Sequence, residues 1–296
     1  MEPFRVRVPA TTSNLGPGFD CFGLALSLHF EVEVRPSATL TLTSTGADVP
    51  LDATNLVVTT LRDHLPPGTP LPPLALHLHN RIPLARGLGS SACARIAGLA
   101  IAEVLTHGLS RVDRERVCDA ACALEGHPDN ATPAVHGGFC VGATGRGHER
   151  VELDGRRYVV LIPQLEIRTA DAREALPKQV RLGEAVFNLQ RASLSALRIA
   201  RAGHLGGALP FEDQLHQRYR LALDARLQRA FARMEQLTEV EGAFLSGSGS
   251  TLMALAKAGE EEAARQSCLR VLQEEGLTAD AHLLSADNQG LIIERL

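Results

Sequence analysis

The order of apolar patterns along the 296-residue chain predicts an α+β fold in two parts. Three observations carry that expectation. The first half reads as strands interrupted by helices. The second half alternates strands and helices in the manner of a split βαβ unit. The pattern changes near residue 155, which divides the chain into 1–155 and 156–296.

Residues 4–8, 27–34, 39–43 and 74–79 alternate apolar and polar side chains with the period of a strand. A helix is expected over 55–65, ended by Pro66 and Pro67. A longer one is expected over 90–106, because Cys93, Ile96, Ala97, Ala100, Ile101 and Val104 share a face and Gly108 stands where a helix stops. Residues 113–124 read as a third helix, and 139–142, after Gly137-Gly138, as a strand. Beyond the division, 158–162 is a short apolar run of the kind that forms a buried strand. Helices are expected over 180–202, 221–237 and 260–275, and strands over 242–245, 251–256, 281–284 and 290–294.

Composition narrows the function classes. Hydrophobic residues make up 45% and charged residues 22%, an ordinary globular balance, and the net charge of −4 speaks against a nucleic-acid partner. The longest strongly apolar stretch, 96–105, is interrupted by Glu103 and is too short for a membrane span, and the first ten residues lack the apolar run of a secretory signal. The expected setting is the cytoplasm, with no membrane partner. All but Lys178 and Lys257 of the 30 basic residues are arginine, so a mechanism needing lysine has two candidates. The six cysteines form no CxxC pair. Cys118 and Cys122 share a helix face, but no Cys or His pair nearby in sequence completes a zinc site, and reduced thiols are expected.

Four segments carry chemistry. The first is IPLARGLGSSAC, residues 82–93, set between a strand and a long helix. A helix N-terminus offers unpaired N–H groups and a partial positive charge, which suits phosphate, and glycines let the backbone come close to it. Serines can cap the helix, contact the anion or ligate Mg²⁺, and Arg86 adds charge at the rim. Without a Gly-Lys-Ser/Thr run the loop is not a Walker A motif, and it does not fit GxGxxG. A serine-capped helix after a glycine turn is the alternative. The second segment, PATTSNLGPGFDCFGLAL (9–26), places Asn14 and Asp20 in a polar loop, where an ordinary Asx turn is also possible. The third, LEGHPDNATPAVHGG (124–138), crowds Glu125, His127 and Asp129 together; Glu125 suits Mg²⁺, while His127 and Asp129 suit a hydroxyl or a proton transfer, unless the run is a turn that caps the next helix. The fourth, GAFLSGSGSTLMAL (242–255), joins two apolar strands through five small residues, which points to close approach to a ligand or to the first half, or to a flexible hairpin.

Together these segments resemble the GHMP kinase superfamily, in order and over nearly the whole chain, with PxxxGLGSSA matched at 83–92. The finer likeness is to homoserine kinases: TSNLGPGFD at 12–20, EGHPDN at 125–130, TADAREALPKQV from Thr169, and LHQRYR at 215–220. The resemblance implies a two-domain GHMP kinase fold. Its N-terminal ATP-binding domain is ribosomal-protein-like with a left-handed βαβ crossover, its C-terminal domain is ferredoxin-like, and dimers are common. It implies transfer of a phosphoryl group from ATP, with Mg²⁺, to the side-chain hydroxyl of L-homoserine. The alternatives are another small-molecule kinase of the superfamily and an inactive binding protein of the same fold.

Residue by residue, the resemblance implies nucleotide contacts from Pro83, Leu84, Ala85, Arg86, Gly87, Leu88, Gly89, Ser90, Ser91, Ala92 and Cys93, with Asn55 at the adenine. It assigns Asp20 to the ammonium of homoserine, Arg173 and Arg220 to its carboxylate, Asn14 and Asn130 to the hydroxyl end, and Thr169 and His127 to the pocket wall. Glu125 and Ser91 are the expected Mg²⁺ ligands, and Glu125, His127, Asp129 and Asn130 the expected catalytic group. Neither lysine lies in a motif, and Asn130 cannot act as a base. Arg86 stands where the family has a small residue, Cys93 replaces an alanine, Arg218 replaces a proline, and SGSGST replaces SGAGPT.

Overall fold

In the computed structural model, which describes residues 1–46, 49–206 and 209–296, β1 (Phe4–Ser13) pairs antiparallel with β2 (Phe22–Pro36) along almost its whole length. β1 alternates only up to Val8 and is fully buried beyond it, with a register shift between Pro9 and Ala10. That is why the periodic signal ended five residues before the strand does. The apolar run 22–26 is the start of β2, buried on both faces. The sheet continues through β4 (Leu74–Asn80) to β3 (Thr41–Gly46), which lies parallel to β4 with α1 (Leu56–His64) in the crossover. β5 (Phe139–Ala143) and β6 (Gly147–Val151) extend it from the other end of β2. On this sheet pack α2 (Ser90–His107) and α4 (Pro128–His136), with α3 (Arg114–Glu125) against both helices. The last two form a hairpin turned by Gly126, where a plain turn was the alternative for the 127–130 segment.

The second sheet has the order β10 (Ala279–Ser285), β7 (Arg157–Pro163), β9 (Leu252–Ala256), β8 (Val240–Leu245), with all neighbours antiparallel. With α8 (Ala225–Met234) and α9 (Glu261–Glu274), this is the ferredoxin-like arrangement. Between β7 and α8 come α5 (Thr169–Glu174), α6 (Leu182–Ala202) and α7 (Gln217–Leu221).

Alternate residues of β7 face two different cores. Val159 and Leu161 pack with Leu227, Ala230 and Leu272 of α8 and α9. Tyr158, Val160 and Ile162 join the same apolar cluster as Phe4, Val32 and Ile96 of the first half. A strand buried on both faces has no reason to alternate, which explains its continuous apolar run. The same partition shows that one of the two cores draws side chains from both halves.

The chain departs from the expected 1–155 and 156–296 division at its end. β11 (Ile292–Arg295) leaves the second half and pairs with β1 as an edge of the first sheet. Asp287 and Asn288 make the return, tied to His29 at 2.7 Å and to both backbone groups of Leu153.

Candidate active site

The loop of residues 82–89 runs from β4 into α2 and forms one wall of a cleft of about 120 Å³. Ala85, Gly87 and Gly89 all have positive φ. Gly89 is the N-cap of α2 in the left-handed region and makes no side-chain cap, so the helix is not serine-capped as the sequence alternative supposed. The first helical bond is from Cys93 N–H to Gly89 C=O (2.9 Å). The N–H groups of Ser90, Ser91 and Ala92 are therefore without a partner inside the helix. A Cβ on Gly89 would stand 2.0 Å from Thr11 Oγ1, and one on Gly87 1.9 Å from the Ser246 carbonyl.

These two contacts show what shapes the loop. Ser246 Oγ donates to the Gly87 carbonyl (2.5 Å) and lies 2.7 Å from Thr12 Oγ1. The Thr251 hydroxyl donates to the Arg86 carbonyl, and Gly247 N–H donates to Ser13 C=O (3.1 Å). The glycine-serine turn between β8 and β9 thus grips the loop from the second half. Of the two readings of those five small residues, close approach to the first half is the one found.

Asn14 and Asp20 both have left-handed backbone at the entry to β2. Buried Asn14 accepts from Asp20 N–H (2.9 Å) and donates to Gly247 C=O (3.2 Å), so its amide holds the loop together. Asp20 is gripped by Arg173 of α5 in a two-point pair, 2.6 and 2.8 Å. Arg220 of α7 is buried and donates to Gly247 C=O (2.9 Å). Burial, with Arg173 adding repulsion, brings the Arg220 guanidinium down to about 10. Both guanidiniums lie over the Phe19 ring, Arg173 at 5.4 Å and Arg220 at 5.2 Å from its centroid, and the ring stacks on His216 at 5.1 Å. Fully buried His216 is pushed down to about 4 by its burial and is therefore neutral; its Nε2–H donates to Gly16 C=O (2.8 Å).

The third wall is the α3–α4 hairpin. Glu125, at the end of α3, holds Arg95 at 2.5 Å through one oxygen. His127 precedes Pro128 at the start of α4 and bonds the buried Asp129 carboxylate. That bond raises the imidazole above its usual value, with burial opposing. Asn130 accepts from the Thr11 hydroxyl (2.8 Å) and donates to Ser13 Oγ (3.3 Å), which fixes α4 against β1.

The geometry brings together Asn14, Asp20, Pro83, Ala85 to Ala92, Glu125, His127, Asp129, Asn130, Thr169, Arg173 and Arg220 around one cleft. Leu84 and Asn55 line an adjoining, mainly apolar pocket of about 310 Å³ that shares Ala85, Ser90, Ser91 and Thr169 with it. Asn55 is committed there as the cap of α1, accepting from Val57 N–H (2.9 Å) and donating to Pro50 C=O (2.6 Å). Cys93 is the departure. Its side chain turns into the core and donates to the Pro9 carbonyl (3.2 Å), away from the cleft. Arg86 faces the cleft, with its Nε shielded and without a partner. Arg218 points away from the cleft to Glu184 (2.7 Å) and Tyr219 Oη (2.6 Å), so its replacement of a proline does not touch the site.

The chain matches the models of the GHMP kinases N terminal domain over residues 54–138 and the GHMP kinases C terminal over 189–276. It is 38% identical to a homoserine kinase of Synechococcus sp. over 98% of both chains. It is also 41% identical to one of Thermus thermophilus, over 88% of this chain and 89% of that one. The chain belongs to the homoserine kinases. A crystal structure of a homoserine kinase from Cytophaga hutchinsonii superposes with a TM-score of 0.84 over 99% and 98% of the two chains; at 23% identity it speaks to the fold.

Against this homoserine kinase framework, reading by motif missed the residues that act through others. Ser13, Gly247 and Ser248 line the cleft, and Thr11, Thr12, Ser246 and Thr251 support it. The only signal for them was the density of small hydroxyl residues at 11–13 and 246–251. Arg95, one turn into α2 from the loop, had no signal at all. Among the described residues no helix is long and apolar enough to cross a membrane.

Proposed function

We propose that the protein transfers the γ-phosphoryl group of ATP to the side-chain hydroxyl of L-homoserine, giving O-phospho-L-homoserine for threonine biosynthesis. One observation carries this reading: the cleft joins a glycine-formed anion cradle to an Asp20–Arg173–Arg220 cluster suited to an amino acid. The phosphates lie along the loop of residues 85–91, with the adenine in the adjoining apolar pocket. A helix N-terminus and the Arg86 guanidinium favour the negative charge there.

Recognition of the amino acid proceeds by exchange. The Asp20 carboxylate accepts from both terminal nitrogens of Arg173. A zwitterion replaces that pair with two: its ammonium on Asp20, its carboxylate on Arg173 and Arg220. A ligand with only one of the charges leaves a protein charge unpaired, which is costly. His216, by holding Phe19, positions both arginines.

The residues fit a hard cation. Glu125 and Ser91 both face the cleft with oxygen donors, as Mg²⁺ requires. Asp20, His127 and Asp129 also offer ligand atoms within 4.8 Å of one another, but their bonds to Arg173 and to each other already engage them. Mg²⁺ held by Glu125 and Ser91 would offset charge on the transferring phosphoryl group. Asn130 and Asn14 fix the hydroxyl end through the frame they tie together. Asp129 is committed to His127, so transfer relies on positioning and electrostatic stabilisation, with a γ-phosphate oxygen taking the proton.

An ATP-consumption assay across homoserine, mevalonate and galactose tests the substrate. Turnover confined to homoserine is expected; turnover confined to mevalonate or galactose overturns the proposal. The cytoplasm is the proposed location. Homodimer formation belongs to the same proposal, with the exposed ridge Leu182, Val186, Leu189 and Leu197 of α6 as its surface. Sedimentation of a Leu189→Glu variant as a monomer, against a wild-type dimer, is the expected outcome.

A further inference from the structure

Behind the cleft, on the far side of the α3–α4 hairpin, lies a cluster that the phosphoryl transfer does not use. Cys118 sits mid-way along α3, His136 is the last residue of α4, and His148 is the second of β6. The sequence separates these residues by 18 and 12 positions, which is why no zinc-type spacing was visible. The fold brings the Cys118 thiol and one nitrogen of each imidazole within 4.8 Å of one another. The two imidazoles stack, with centroids 4.3 Å apart and planes inclined by 29°.

Three features set this cluster apart from satisfied core polar residues. His136 Nε2 is shielded from solvent and has no hydrogen-bond partner, the nearest carboxylate, Glu115, standing at 3.8 Å. A buried polar atom left in that state calls for a missing partner. Burial, together with His148, Arg114 and Arg150, holds the His136 imidazole below its usual value. Arg114 and Arg150 are themselves spent on backbone carbonyls at 2.5–3.1 Å, and Arg150 also on Glu152. The cluster also borders a cavity of about 720 Å³, lined by Cys118, Cys122, His148 and the carboxylates of Glu115 and Asp119, which gives an ion a route in and offsets the arginine charge.

We propose that Cys118, His136 and His148 form a binding site for a divalent metal of the zinc class, distinct from the catalytic cleft. One thiolate and two imidazoles are a donor set that zinc accepts, with the fourth position left to water. Tetrahedral zinc holds S and N donors about 3.4–3.6 Å apart, so binding draws together ligand atoms that now lie within 4.8 Å of one another. Binding displaces the Cys118 proton, which the bond with Cys122 and burial otherwise retain. The ligands span α3, α4 and β6. A metal there fastens the far ends of the hairpin whose near ends carry Glu125, His127, Asp129 and Asn130.

The test is a Co²⁺ titration of the metal-stripped full-length protein with excess Mg²⁺ present to fill oxygen sites. One Co²⁺ per chain is expected, with thiolate-to-metal charge-transfer absorption and the strong visible bands of tetrahedral cobalt, all displaced by Zn²⁺. Cys118→Ser should abolish the charge-transfer band. His148→Gln, on half-buried β6, should weaken binding at least tenfold without loss of the folded state, and Cys268→Ser should change nothing. Absence of the charge-transfer band in the wild type, or an unaltered band and affinity in His148→Gln, overturns the proposal.

Discussion

Gly87→Ala separates the two demands made on the phosphate loop. Its φ of +50° puts an alanine in the left-handed region, at a cost of about 1–2 kcal/mol. The added methyl would also stand 1.9 Å from the Ser246 carbonyl, where nothing closer than 3.0 Å is tolerated, so more than an ångström must open between loop and turn. That opening breaks the Ser246–Gly87 bond and moves the loop away from its place at the head of α2. A misplacement of about 1 Å in a reacting geometry costs on the order of a hundredfold in rate. Gly68→Ala is the control: its φ is +83° but nothing lies within 4 Å of the new methyl. Steady-state kinetics with ATP and homoserine, alongside thermal unfolding, should show Gly68→Ala losing a few degrees of Tm with unchanged kcat. Gly87→Ala should lose about a hundredfold in kcat/KM and bind nucleotide more weakly. Rates for Gly87→Ala within threefold of wild type would refute the view that the turn between β8 and β9 sets the loop.

Removing the Arg173 fork by substitution with alanine should raise the KM for homoserine about thirtyfold, equivalent to about 2 kcal/mol, and leave ATP binding unchanged; Arg173→Lys, which keeps charge but not the fork, should fall between. Equal losses for both substrates would show that Arg173 acts on the fold. Because His127 is raised above 6.5 in the folded protein, its pairing with Asp129 stabilises fully below that value and is lost as pH rises through the folded value. Asp129→Asn should therefore destabilise more at pH 6 than at pH 9 in urea unfolding, and bring the NMR titration midpoint of His127 down. The same variant decides the proton acceptor, since loss of chemistry with both substrates still bound would make Asp129 the base. Ser246→Ala removes a fully buried hydroxyl and leaves the half-buried Gly87 carbonyl without its donor, and should cost about 1 kcal/mol in denaturant unfolding.

The parts of the site that were legible in the sequence are those where a local run does the chemistry. The loop announced itself by lying between a strand and a helix, and Glu125, His127 and Asp129 by their crowding. The parts that were not legible depend on contacts across more than 80 residues. Cys93 belongs both to the loop motif and to the apolar face of the expected helix, and the helical turn rotates it to face Pro9. Asp20 and Arg173 read as separate ligand contacts, and only the fold shows them paired to each other. Short elements such as β6, α5 and α7 escaped because five or six residues do not establish a period, and their conformation is imposed by what they pack on.

The late strand β11 has a consequence for the order in which the protein becomes competent. Residues 287–291 press on the end of α4: Gly138 N–H bonds Asp287 C=O (2.7 Å) and Leu291 N–H bonds Val135 C=O (3.0 Å). The helix that presents Asp129 and Asn130 is thus latched by residues 287–291, far downstream of it in the chain. Without residues 287–296, β1 can pair with β2, but the latch is missing and the first sheet keeps an open edge. Long-range closure of this kind is slow to form. It also makes the fastening of the α3–α4 hairpin wait on a segment about 150 residues further along the chain.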